Sequence, residues 1–182
     1  MTAGDFWSWS LERYPIEGVE PLLLRLQDEF GFNVNILLWA CWCGERYDEA
    51  PALVIRKAMD VTGQWNGNVT ASLRQARRYL KTPPPQADAQ QAEDLRGQIK
   101  ALELAAERIE QELLEKLAET ALSPAPDKSQ SLSRMRRNLA SYAALLGAAK
   151  KKDFTVSLLE SLADHIFNAA GQVSAGKERH GG

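Results

Sequence analysis

The sequence predicts an all-α fold, an irregular, orthogonal multi-helix bundle with one long heptad-patterned helix. Three observations carry that prediction. Apolar residues recur at helical spacing along most of the chain, no segment shows the strict alternation of a half-buried strand, and the prolines fall at or near the ends of the periodic runs. A chain of 182 residues can bury roughly 70% of the surface it exposes unfolded, so a true core is expected. Hydrophobic residues make up 45% and charged residues 25%, a globular composition that argues against global disorder.

Residues 1–82 read as an N-terminal helical module. Its first segment carries Phe6, Trp7, Trp9, Leu11 and Tyr14 and stops at Pro15, whose ring prevents continuation. Val19, Leu22, Leu23, Leu26 and Phe30 mark the next helix, with Pro21 in its first turn and Gly31 as a left-handed stop. Asn33 can cap a third helix, expected to run to Cys43 and end at Gly44. Because Ile36 to Cys43 is apolar on almost every side, this helix should be the central, most buried element. Between Glu49 and Lys81 a shorter helix through Val54, Ile55, Ala58 and Met59 should precede a longer one. The longer one places Trp65, Val69, Leu73, Ala76 and Leu80 on one face, with Gly63 and Gly67 as weak points near its start.

Residues 83–88 form a Pro-rich linker, since Pro83, Pro84 and Pro85 lock the backbone out of the helix and set a boundary. Residues 89–122 form the long amphipathic helix. Leu95, Ile99, Leu102, Ala106, Ile109 and Leu113 step by four and three residues, the seam of a coiled coil. At about 1.5 Å per residue it spans about 50 Å, enough to project from a core or to pair with another helix. Leu102→Asp or Ile109→Asp is expected to destabilise strongly by putting an unpaired charge into that seam. A loop at 123–131 leads to a C-terminal helical hairpin at 132–171. Its first helix carries Leu132, Met135, Leu139, Tyr142 and Leu146. The second starts near Asp153, carries Val156, Leu159, Leu162 and Ile166, and ends at Gly171. Residues 172–182 are expected to be a disordered tail.

The formal net charge of -2 gives no overall attraction for nucleic acid or an anionic membrane. Between Gln86 and Leu122 nine acids face four bases, leaving 18 bases and 15 acids elsewhere, so an acidic middle sits between mildly basic ends. The N-terminus has neither the basic nor the apolar region of a secretion signal, which implies a cytoplasmic protein. Ile36 to Cys43 is far shorter than the roughly 20 residues that span a bilayer, so no membrane insertion is expected. Cys41 and Cys43 stand about 200° apart on a helix, and read as core thiols that share neither a metal nor a disulfide.

Catalytic chemistry finds little footing. There is no phosphate-binding Gly loop, paired CxxC, nucleophile elbow, His-Glu-x-x-His or Asp-rich motif, so no catalytic residue, metal or cofactor is expected. His180 falls in the tail; His165 follows Asp164, and Glu160 lies four residues before Asp164, a pairing common on solvated helices. Interaction residues are easier to nominate. Trp7 and Trp9 form a candidate aromatic contact, and Asn35, in the first turn beside the cap Asn33, could hydrogen-bond a neighbouring loop or a ligand. Arg74, Arg77, Arg78 and Lys81 share one helical stripe that could meet phosphates, the acidic 86–122 helix or a partner's acidic face, or only water. Arg134, Arg136, Arg137 and Lys150, Lys151, Lys152 are two further basic clusters, without the aromatic interleaving of an RNA-binding motif. The leading expectation is a non-enzymatic interaction or regulatory adaptor with a protein partner or self-association. One alternative is RNA binding through the Arg74 to Lys81 stripe; another is an apolar small-ligand site, or an enzyme, near Trp39 and Trp42.

The run Leu26-Gln27, Gly31 and Asn33-Val34-Asn35-Ile36-Leu37-Leu38-Trp39 resembles the hallmark of an uncharacterised family of small proteobacterial proteins. Phe6, Trp7, Ser10, Tyr14, the Pro21 to Leu26 segment and the basic Arg74 to Lys81 end are also similar, so the likeness covers most of residues 5–120. The resemblance implies a bacterial helical unit and transfers no site, because the family carries no assigned activity. After Ser123 the sequence departs from the family pattern, as a lineage-specific addition would.

Overall fold

The computed structural model describes residues 5–147 and 152–177. Helix α1 (Phe6–Arg13) is capped by Asp5, whose carboxylate accepts from the Ser8 amide at 2.6 Å. Helix α2 (Val19–Phe30) closes at Gly31 with φ +75°: the Gly31 amide donates to the Gln27 carbonyl and the Phe32 amide to that of Leu26. This paired closure satisfies carbonyls a helix end otherwise leaves bare. Helix α3 (Val34–Arg46) starts from Asn33, whose Oδ1 accepts from the amides of Asn35 (2.7 Å) and Ile36 (3.2 Å).

Gly44 does not stop α3, which continues to Arg46. The glycine serves packing instead. A Cβ there would lie 2.5 Å from the backbone nitrogen of Met135, so only a bare Cα lets the two helices approach this closely.

Helix α4 (Ala52–Trp65) begins after Pro51 and passes through a π-helical turn, Asn66–Thr70, into α5 (Ala71–Tyr79). The longer helix therefore comes first, and the weak points at Gly63 and Gly67 produce a widened turn rather than a break. Helix α6 (Ala89–Ala121) is capped by Asp88 and is the long helix expected. The proline segment reverses the chain between α5 and α6, which run antiparallel, as the pairs Arg74–Glu107 and Arg77–Glu103 require. The loop after α6 is pinned to the end of α3 by Asp48 and Ser123 and by Ala125 and Arg46. Helix α7 (Ser131–Leu146) ends at Gly147, and α8 (Lys152–Lys177) runs past the expected stop at Gly171. Residues 172–177 of the expected tail are thus helical; 178–182 lie outside the described residues, as do Lys150 and Lys151. Among the described residues the only extended pairing is a bridge between Tyr47 and Pro124. No helix among them is long and apolar enough to cross a membrane.

One core joins the N-terminal helices to α6, α7 and α8. Helix α3 sits at its centre, with Ile36 to Gly44 buried, and α7 lies along it through Met135, Leu139 and Tyr142. Polar atoms taken inside find partners: the Trp39 indole donates to the Leu114 carbonyl (2.9 Å), and Asn138 bridges the Ala40 carbonyl and the Ala50 amide. Arg134, 2% exposed, is solvated by the carbonyls of Gly44 and Asp127 and the hydroxyl of Ser131.

The heptad reading of α6 is half right. Ile99 and Ala106 face inward, whereas Leu95, Leu102 and Ile109 are 46, 55 and 43% exposed. The inner face instead gathers Glu103, Glu110 and Gln111 with Leu114 and small alanines. These polar groups go inside because partners await them there, so the seam is turned partly outward.

Candidate functional site

Between α1, the α2–α3 junction, the end of α4, α5 and α6 lies an open cleft of about 1150 Å³. Its floor is a chain of hydrogen bonds anchored by the α3 cap. The Asn33 amide N–H donates to the Tyr142 hydroxyl (2.9 Å), and Asn33 Nδ2 donates to Glu110 Oε1 (2.9 Å). Asn35 Oδ1 accepts from Gln111 Nε2 (2.9 Å), and Gln111 Oε1 accepts from the Ser10 hydroxyl (2.9 Å). Three segments distant in sequence are thereby locked together: α1, the start of α3 and the middle of α6.

Glu110 sits behind this floor and does not itself line the cleft. It is fully buried, and its Oε2 has no hydrogen-bond partner among the described residues. Burial pushes its carboxyl above the ordinary value, and nearby Glu107 adds to this, while Asn33, Asn35 and Arg74 oppose it. Burial likewise pushes the Tyr142 phenol up to about 12, so it stays protonated as it accepts from Asn33.

One wall of the cleft carries ion pairs. Arg74 Nη2 meets Glu107 at 2.7 Å, and Arg77 Nε is shared by both Glu103 oxygens at 3.0 and 2.9 Å. The rim is apolar: Leu11, Leu24 and Leu104 line it and are 54, 40 and 54% exposed, a grouping that costs free energy in water unless something covers it.

The nominated residues scatter differently from the expectation. Trp7 and Asn35 line the cleft, and so do Arg74, Arg77 and the exposed Arg78; Lys81 is exposed just beyond α5. Trp9 is 3% exposed, its indole donating to Glu45 and its ring under the Arg13 guanidinium at 5.4 Å, so it belongs to the core. Trp39 and Trp42 are also core residues, and neither lines the cleft. Cys41 and Cys43 are buried free thiols whose pKa burial pushes up. Asp164 pairs with Arg136 at 2.6 Å rather than with Glu160, and the His165 ring contacts the Ser161 carbonyl. Of the three partners expected for the Arg74 to Lys81 stripe, the acidic 86–122 helix is the one that meets it, through Glu103 and Glu107; sequence reasoning missed Glu110, Gln111 and Tyr142. The spacing of Glu103 and Glu107 against Arg74 and Arg77 across a short proline turn is the signal that picks those two carboxylates out of the acidic helix.

The chain belongs to DUF2390, a family of proteins of unknown function. Its family model matches residues 5–114. Every cleft residue except Tyr142 and Leu146 falls inside the DUF2390 stretch. Helices α7 and α8 lie beyond it, yet α7 covers α3 and supplies the Tyr142 hydroxyl to the cleft floor. Comparison with curated proteins and with solved structures finds no match.

Proposed function

We propose that the chain is a non-enzymatic binding module whose cleft receives a segment of a protein partner, acting in the cytoplasm. The observation that carries this reading is the cleft itself, three exposed leucines around a floor of hydrogen-bonding amides. Covering such a side chain is worth about 1 kcal/mol or more, and half-buried Asn35, held in place by buried Gln111, offers a side-chain amide to a backbone laid across it. Arg78 has no ion-pair partner among the described residues, so an acidic group on the segment would find an open cation at the rim. Nucleic-acid binding has weaker support, since Arg74 and Arg77 are already held by Glu107 and Glu103. An apolar small-ligand site beside Trp39 and Trp42 is disfavoured because both rings are packed inside.

A photo-crosslinking residue at position 104 tests the reading in cells, with position 133 on α7 as control. The expected result is one protein adduct at 104, absent at 133 and lost in a folded Leu11→Glu variant. No adduct at 104, or an adduct indifferent to Leu11→Glu, overturns it. An RNA adduct that fades with salt would select the nucleic-acid reading instead.

A further inference from the structure

Helix α6 carries a second, outward seam. Gln91, Leu95, Gln98, Leu102, Ala105 and Ile109 step by four and three residues and are all exposed. Three large apolar side chains spaced seven apart on one helix face are what a facing helix covers. We propose that α6 packs antiparallel against α6 of a second copy of this chain, with the two-fold axis at Lys100, next to Ala101. In that register Leu95 lies opposite the partner's Ala105, Leu102 opposite the partner's Gln98, and Ile109 opposite the partner's Gln91. Large side chains meet smaller or polar ones along the whole row, and a polar layer in its middle fixes the register.

The flanking charges select the direction. Asp94 and Arg108 are exposed beside the seam and stand seven residues on either side of Ala101. Antiparallel pairing brings Asp94 to the partner's Arg108 twice by symmetry. Parallel pairing sets equal residues at equal heights and leaves neither charge an opposite neighbour. Arg108 now pairs with Glu112 at 3.2 Å on an exposed surface, a contact weak enough to exchange. The cleft is not involved, because Leu104 sits about 200° around the helix from Leu102.

Light scattering at tens of micromolar chain should report twice the 20.2 kDa chain mass. Leu102→Lys should return a folded monomer, since that side chain is exposed in the single chain. Asp94→Arg should raise the dissociation constant at least about fivefold, and adding Arg108→Asp should restore it. Direction is read by cysteine cross-linking with a short bismaleimide; native Cys41 and Cys43 are buried and will not compete. Ala101→Cys should link and Lys116→Cys should not. A monomer at high concentration, a dimer indifferent to Leu102→Lys, or equal linking at both positions overturns the proposal.

Discussion

Helix α3 meets α7 on one side and α6 on another, and the two contacts are built on different chemistry. Against α7 the fit is steric and apolar: Gly44 lies on the Met135 backbone, Leu139 and Tyr142 fill the space beside it, and buried polar groups turn to main-chain carbonyls. Against α6 the Trp39 indole also takes a main-chain carbonyl, that of Leu114, but the entry to α3 is fixed by side chains that recognise side chains, Asn33 with Glu110 and Asn35 with Gln111. The difference teaches that counting apolar positions locates a helix but does not say which of its faces goes inside. A buried carboxylate with a prepared donor can outcompete a leucine for an inward place.

The steric side should be the more fragile. Gly44→Val places a side chain where the Met135 backbone already stands, and main chain cannot swing aside as a side chain can. The expected loss is about 3 kcal/mol, read as a denaturation midpoint. A loss below about 1 kcal/mol would mean that α3 and α7 separate at little cost. Asn138→Ala comes next. It strands the Ala50 amide inside the core and removes the second hydrogen bond to the Ala40 carbonyl, for an expected loss of about 1–3 kcal/mol. An unchanged melting temperature would show that water replaces the side chain.

The polar side should announce itself through pH. The Glu110 carboxyl is raised by burial in the folded chain, so the folded state favours its protonated form. Its contribution to stability is therefore fully present below the ordinary carboxyl value of 4.5 and is lost as pH rises through the higher folded value. Glu110→Gln should flatten that decline between acid and neutral pH, with a smaller penalty at pH 7 than at pH 4. Melting curves across that range check it. Parallel wild-type and variant profiles would place the titration elsewhere.

Much of the fold was legible because it rests on local chemistry. Asn33 as cap, Gly31 as stop, Pro15 as a boundary, and the all-round apolar α3 are each fixed by a few neighbouring residues. The cleft floor was not legible, because Ser10, Asn35 and Gln111 become neighbours only when α1, α3 and α6 have packed. Gly44 was misread for a related reason: a glycine's need for room depends on Met135, a residue 91 positions away that no local pattern announces. The passage of α8 through Gly171 shows the opposite failure, a local stop signal that the helix does not obey.

The smallest expected effect is the sharpest check on the orientation of α6. If heptad spacing alone ruled, Leu102→Asp and Ile109→Asp would each strand a charge in an apolar seam and unfold the chain. Both side chains are about half exposed instead, 55 and 43%. Surface substitutions of this kind lie within about 0.5 kcal/mol of neutral. Chemical denaturation at a concentration low enough to keep the chain monomeric should therefore leave both variants close to wild type. Ile99→Asp, on the inward face at 9% exposure, serves as the contrast and should fail under the same conditions. Equal losses at Leu102 and Ile99 would mean that α6 is rotated relative to α3, and the pairing of Asn33 with Glu110 would fall with it.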